Sequence, residues 1–115
     1  MDVYLQLPGH DAATTRRGYR GWLEVFDVAF ERPLLEKVHT AFTVHRLQDA
    51  LSGVLQRLAA SGQTLSCVRV HRVEGSEVLV RLRFDDVRVA SFGLDSTAYE
   101  STELLRFEAA SWQFE

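Results

Sequence analysis

Short runs that alternate apolar and polar residues follow one another along most of the chain, and one stretch departs clearly from this period. From Leu47 to Ala59 the large apolar residues recur three and four positions apart, which is the spacing of one helical stripe. Strands that follow one another this closely pair as antiparallel neighbours, because parallel pairing needs long crossovers. The pattern therefore predicts an α+β domain, mainly β, in which about seven antiparallel strands form a small barrel or sandwich with one amphipathic helix.

The size and composition of the chain fit one ordinary globular domain. It has 115 residues, of which 46% are hydrophobic and 25% charged, so we expect a single domain over residues 1–115 whose core needs neither disulfide nor metal. Cys67 is the one cysteine and cannot form an internal disulfide. Because the start of the chain also lacks a signal-peptide pattern, we expect synthesis in a reducing cytoplasm. No apolar run approaches the ~18 residues of a membrane span, and we expect no membrane insertion.

The helix has start and stop signals in its sequence. Asp49 or Ser52 can accept hydrogen bonds from the free amides at its start, and Gly53 indicates that the regular part begins only at Ser52. Gly62 can adopt the left-handed conformation that ends a helix. The alternating runs predict strands at residues 3–7, 19–30, 38–45, 64–74, 77–84, 87–92 and 99–114.

The run at residues 19–30 is apolar on both of its faces. One face carries Leu23, Val25 and Ala29, and the other carries Trp22, Phe26, Val28 and Phe30. An antiparallel strand with one wet face alternates more cleanly, so this strand is either covered on both sides or pressed against another chain. Trp22, Phe26, Val28 and Phe30 are therefore the candidate subunit interface.

Gly75 and Ser76 predict a tight hairpin between the runs at 64–74 and 77–84. Pairing around that turn predicts one face as core, made of Leu65, Cys67, Val73, Val78, Val80, Leu82 and Phe84. The opposite face then carries Val68, Val70 and Leu79 among the basic residues Arg72, Arg81 and Arg83. Either this is a solvated face with local salt bridges, or the three arginines line a lumen or meet a partner. Beyond the hairpin, Asp85 and Asp86 predict a turn, and residues 93–98 a polar loop.

The residues that carry chemistry do not form a recognisable site. His39 and His45 share a predicted strand face but lie roughly 20 Å apart along it, too far for one metal ion. Cys67 is predicted to point inward as an apolar filler, and the sequence has neither GxSxG nor a glycine-rich phosphate loop. We expect no catalytic, cofactor-binding or metal-binding residues, and therefore no enzyme. A net charge of −3 argues against nucleic acid as a partner.

Six segments in this order resemble the Hcp family, the haemolysin co-regulated proteins. They are VYLQLPG from Val3, GWLEV from Gly21, FTVHR from Phe42, DALS from Asp49, VRLRFDDVRV from Val80 and ELLRFE from Glu103. The resemblance implies a small barrel with one helix, six copies of which close into a ring, and rings that stack into the inner tube of a type VI secretion system. It also implies a sheath, a spike and effector proteins as partners, a structural role, and export through the apparatus without a signal peptide.

One segment departs from the family pattern. Family members usually carry a longer loop between the second and third strands, whereas the connection that begins at Glu31 and ends at Lys37 is short. The sequence leaves three versions open: a minimal Hcp, a tube protein of a phage-tail-like contractile system, and a ring-forming domain that makes no tube. A different hypothesis is a monomeric small barrel that binds a ligand or an acidic protein.

Overall fold

The computed structural model describes residues 2–31, 40–95 and 101–115. These residues form seven strands and one helix: β1 (Asp2–Gln6), β2 (Leu23–Val25), β3 (Asp27–Phe30), β4 (Thr40–Leu47), α1 (Ser52–Ser61), β5 (Thr64–Glu74), β6 (Glu77–Asp95) and β7 (Thr102–Phe114). The expected mainly β fold with one helix is confirmed. Residues 32–39 and 96–100 lie outside the described residues. The first range holds most of the short connection and the start of the third predicted strand. The second holds the end of the predicted polar loop and Tyr99.

The seven strands form one antiparallel sheet in the order β2-β1-β5-β6-β7-β4-β3. Its two edge strands, β2 and β3, are consecutive in the chain and are separated only by Phe26. The chain therefore links the two edges of the sheet and closes it into a barrel. At this crossing, the Phe26 N–H donates a hydrogen bond of 2.7 Å to the carbonyl oxygen of His45 on β4.

The crossing corrects the prediction of one strand over residues 19–30. β2 pairs with β1 while β3 pairs with β4, and a single straight strand cannot reach both partners. The bend at Phe26 also resets the alternation, so that Val25 before it and Val28 after it both face the core. Residues 19–30 are thus apolar at both odd and even positions largely because the inward-facing positions change from odd to even at Phe26.

The helix follows its sequence signals closely. It begins at Ser52, as Gly53 indicated, and ends at Gly62, whose φ of 68° is left-handed. The predicted side-chain cap is not formed, because Leu51 is the N-cap residue and makes no side-chain cap hydrogen bond. Asp49 Oδ1 instead accepts from the Leu51 N–H at 2.9 Å, before the first turn, and Ser52 Oγ accepts from the Asp49 N–H at 3.0 Å. Leu55 and Leu58 are buried against the barrel core.

The hairpin of β5 and β6 has the predicted turn but a different pairing beyond it. Next to the turn, Val73 pairs with Val78 as expected, but the register shifts between Arg72 and Val73, and from there Val70 pairs with Leu82. A slip of one residue exchanges the two faces of a strand. The predicted face assignment is therefore wrong for Val68 and Val70, which are buried in the core.

β6 runs without a reversal through the predicted turn at Asp85 and Asp86. Asp86 has a φ of 50°, and this left-handed residue bends the strand and resets its alternation, so that Phe84 and Val87 are both buried. Residues 93–95, predicted as loop, continue the same strand. The predicted strands at 77–84 and 87–92 are thus one strand, β6, while the predicted strand at 19–30 is two, β2 and β3. The described part of the chain therefore has the expected seven strands, but with different boundaries.

Aromatic rings meet across the interior of the barrel. Phe42 of β4 lies with its ring centroid 4.5 Å from that of Phe84 on β6, and Phe30 of β3 lies 6.1 Å from the same ring. Phe107 stacks on Phe42 at 5.1 Å. These contacts bring strands from opposite sides of the barrel together, which makes the Phe84 ring the centre of the core.

Candidate functional site

The four aromatic and aliphatic residues of the predicted interface do not share one surface. Phe26 is 53% exposed, whereas Val28 is buried and Phe30 is half-buried against the core. Trp22 is also half-buried, but in a separate cluster on the outside of the sheet. Val28 has almost no surface to offer to another chain. Of the four, Phe26 is the residue whose ring is open to a partner.

Phe26 belongs to an outer surface that we call the Phe26 patch, made of Phe26, His45, Leu47 and Leu104. The Phe26 ring meets the His45 imidazole edge to face, with centroids 5.4 Å apart. His45 pairs with Leu104 across β4 and β7, and the side chains of Leu47 and Leu104 are exposed. Burying this patch against another surface is favourable because apolar area leaves water.

Trp22 packs in an outer aromatic cluster with Tyr4, Tyr19 and His71. The Tyr4 and Tyr19 rings stack at 4.4 Å, and the Trp22 ring lies 4.6 Å from the His71 imidazole. Tyr19 Oη and His71 Nδ1 form a hydrogen bond of 3.0 Å. This cluster fastens the segment before β2 onto the outer face of β1 and β5, so Trp22 contributes mainly to packing within the chain.

Burial sets the titration behaviour of this hydrogen-bonded pair. Desolvation raises the pKa of Tyr19 above its ordinary value, which keeps the hydroxyl protonated and able to donate. Desolvation first, and then the positive charge of Arg81, lowers the pKa of His71. His71 is therefore held in its neutral form, and the tautomer of the imidazole decides which of the two groups donates the hydrogen bond.

The three arginines of the predicted lumen or partner face are divided between two faces. Arg81 and Arg83 lie on the outer face of the hairpin, opposite His71 and Arg69 on β5. Arg72 pairs with Val80 and lies on the inner face of β5. Its Nη2 donates to the carbonyl oxygen of Val28 at 3.5 Å. The register shift that exchanges the faces of the hairpin is also the reason for this separation.

Arg69, His71, Arg81 and Arg83 form what we call the arginine face. The guanidinium of Arg69 pairs with the Glu115 carboxylate at 3.0 Å, and that of Arg83 pairs with Asp85 at 2.9 Å. Arg81 is exposed and has no ion-pair partner among the described residues. Local salt bridges thus neutralise part of this face, and Arg81 contributes its unbalanced charge.

A cleft of about 540 Å³ opens beside the Phe26 crossing, between β2, the end of β4 and the segment at residues 12–14. We call it the seam cleft. Its apolar wall is formed by Val25, Phe26 and Leu47, and its carboxylates are those of Asp2, Glu24 and Asp49. Asp2 is paired with Arg16 at 2.7 Å and Asp49 with Arg46 at 2.6 Å. Glu24 has no ion-pair partner within residues 2–31, 40–95 and 101–115.

Arg46 also lines the seam cleft, although its side chain is only 3% exposed. Its Nη1 donates to Glu103 Oε1 at 2.5 Å, and its Nη2 donates to Asp49. The Arg46 Nε and Glu103 Oε2 atoms are buried with no hydrogen-bond partner in the described part of the chain. The sequence analysis did not single out this pair. Its signal was the alternation of β4 and β7, which places both residues on the inner face.

Cys67 was predicted to point into the core, but it is only partly buried and pairs across the hairpin with Asp85. Its Sγ lies 4.0 Å from Arg69 Nη1, beside the arginine face. Across the described ranges, no group of three or more His, Cys, Asp and Glu side chains is placed to hold a metal ion. Nor does any helix in those ranges have the length and apolar character needed to cross a bilayer.

The fold and these surfaces define a small antiparallel barrel, closed at one crossing and covered by one helix. No family model matches the chain, and no curated protein matches it in sequence. Solved structures do. A type six secretion system protein superposes with a TM-score of 0.83 at 19% identity, over 98% of this chain and 82% of that one. Hcp2 from Salmonella typhimurium superposes with a TM-score of 0.77 at 15% identity, over 99% and 81%.

A third match is the tube-terminating cap of the anti-feeding prophage, with a TM-score of 0.60 at 12% identity, over 98% of this chain and 87% of that chain. At such identities, the likeness establishes the fold. This chain therefore has the Hcp fold over nearly its whole length, which confirms in its architecture the resemblance that the sequence segments carried.

Proposed function

We propose that this chain is a structural subunit of a type VI secretion system or a related contractile injection system. The observation that carries the proposal is the match of almost the entire chain to Hcp2 and to a type six secretion system protein. The weaker match to the cap of the anti-feeding prophage tube supports the wider class of contractile tubes. The role is structural rather than catalytic.

We further propose that the subunits assemble into closed rings, hexameric by resemblance to the family, which stack into a tube that carries effectors in its lumen. A ring repeats one contact between two different patches of the subunit. The exposed Phe26 patch supplies apolar surface for such a contact, and Arg81 and Arg83 supply charge for a neighbour or a lumen. The sheath, the spike and the effectors are the other partners, and the subunit is made in the cytoplasm and exported through the apparatus.

The mass of the purified protein tests this proposal. Light scattering after size exclusion is expected to give a particle of several times the 13.1 kDa subunit mass, and negative-stain microscopy is expected to show rings with a central opening. A protein that stays monomeric at millimolar concentration would contradict the proposal. That outcome would favour a monomeric barrel that uses the seam cleft of about 540 Å³ to bind a ligand.

A further inference from the structure

The seam cleft and the β6 part of the arginine face, Arg81 and Arg83, lie on opposite sides of the barrel. β6 is the fourth strand from either edge in the order β2-β1-β5-β6-β7-β4-β3, and the two edges meet at the Phe26 crossing beside the cleft. The contact of 6.1 Å between Phe30 of β3 and Phe84 of β6 passes through the interior. The outer face of β6, which carries Arg81 and Arg83, therefore points away from the cleft.

The two surfaces have complementary charge. Arg81 is the member of the arginine face that no carboxylate of the described residues neutralises. Glu24 is the member of the seam cleft that no described cation neutralises. Both side chains are exposed. Opposite charges on two sides of one molecule attract a second copy in head-to-tail orientation and repel head-to-head contact.

The lining of the seam cleft indicates what kind of occupant it fits. Glu24 favours a cation. Val25, Phe26 and Leu47 favour apolar atoms. A simple cation brings no apolar surface, whereas a polypeptide surface brings both a cationic side chain and apolar atoms.

We propose that the arginine face of one copy docks on the seam cleft of the next, with the Arg81 guanidinium against the Glu24 carboxylate and apolar atoms against Phe26. This inference rests on the proposed ring assembly and names the two patches that meet in it. Two different patches give the heterologous contact that a ring of several subunits requires, and the ring closes when the rotation between neighbours adds up to a full turn.

Charge exchange tests the contact directly. Arg81→Glu and Glu24→Lys are each expected to raise the protein concentration needed for assembly by about tenfold or more. The double variant, which restores an opposite pair in reverse order, is expected to assemble nearly as well as the wild type. Arg57→Glu and Glu77→Lys, at exposed positions outside both surfaces, serve as matched controls and are expected to leave assembly unchanged.

The readouts separate this inference from the ring proposal. Light scattering over a concentration series measures assembly, and circular dichroism shows that each variant keeps the β fold. If the wild type forms rings and both single variants do so at the same concentration, the Arg81 to Glu24 contact is wrong and the rings form through other patches. If both single variants fail and the double variant is not rescued, the direct pairing is also wrong. If the wild type is monomeric, the ring proposal itself fails.

Discussion

Arg46 and Glu103 form an ion pair inside the barrel, with 2.5 Å between Nη1 and Oε1 and with side chains that are 3% and 0% exposed. Asp49 holds the other end of the guanidinium at 2.6 Å. Two charges taken out of water are costly unless each has its partner in place. The pair therefore ties the end of β4 to the start of β7 in a way that depends on both residues.

Removing one partner of this pair is expected to be severe. Glu103→Ala should lower the free energy of unfolding by about 3–5 kcal/mol, because it leaves the Arg46 charge buried and incompletely paired. Urea denaturation followed by circular dichroism measures the loss. The control is Arg46→Met with Glu103→Leu, which replaces the pair by apolar groups and is expected to recover most of the stability. A fully stable Glu103→Ala variant would contradict this account.

Two leucines on β6 test the face assignment of the hairpin. Leu82 is 4% exposed and Leu79 is 42% exposed. Leu82→Ala is expected to cost about 2–5 kcal/mol of unfolding free energy because it leaves a cavity in the core. Leu79→Ala is expected to cost less than about 1 kcal/mol, since its side chain is already partly in water. Equal losses in the two variants would show that the hairpin faces are not those described.

His71 is expected to make stability depend on pH. Its pKa in the folded protein is below the ordinary value of 6.5, mainly because of burial, so the unfolded chain binds the proton more readily than the folded one. This contribution to stability is present above the ordinary value and is lost as the pH falls through the lowered pKa. His71→Gln should flatten this part of the stability profile.

The measurement is the urea midpoint of the wild type and the variant between about pH 7.5 and pH 5, the range in which histidine titrates. His10→Gln, on the segment outside the aromatic cluster, is the control and is expected to keep the wild-type slope. A His71→Gln profile as steep as that of the wild type would assign the pH dependence to other groups.

Charge placed at Phe26 and at Trp22 is expected to have different effects. Phe26→Glu should dissociate rings and leave the barrel folded, since half of the Phe26 side chain is in water. Trp22→Glu should also loosen the cluster of Tyr4, Tyr19 and His71 and lower the thermal midpoint. Light scattering reports assembly, and circular dichroism reports folding. Rings that survive Phe26→Glu would place the interface elsewhere.

Much of the architecture could be predicted from local patterns. The stripe from Leu47 to Ala59 predicted α1, and Gly53 and Gly62 predicted its ends, because helix period and capping depend on residues a few positions apart. Gly75 and Ser76 predicted the hairpin for the same reason. The resemblance of the sequence segments to the Hcp family predicted its fold, and the solved structures confirm that fold.

The faces of the strands required the tertiary structure. The bend at Phe26, the register shift at Arg72 and the left-handed residue Asp86 each reset the alternation of a strand. Each is a change of one residue with little local signal, and each follows from how a strand must pair with two distant neighbours at once. The separation of Arg72 from Arg81 and the burial of Val28 follow from these changes.

The sequence by itself determined the helix, the hairpin and most of the strand segments in their order, because those properties depend on periods and turns within a few residues. The tertiary structure alone decided that β2 and β3 close the barrel at Phe26, that Arg46 meets Glu103, and that the seam cleft lies opposite the β6 part of the arginine face. These relations join residues far apart in the chain, and only the packing of the whole sheet brings them together.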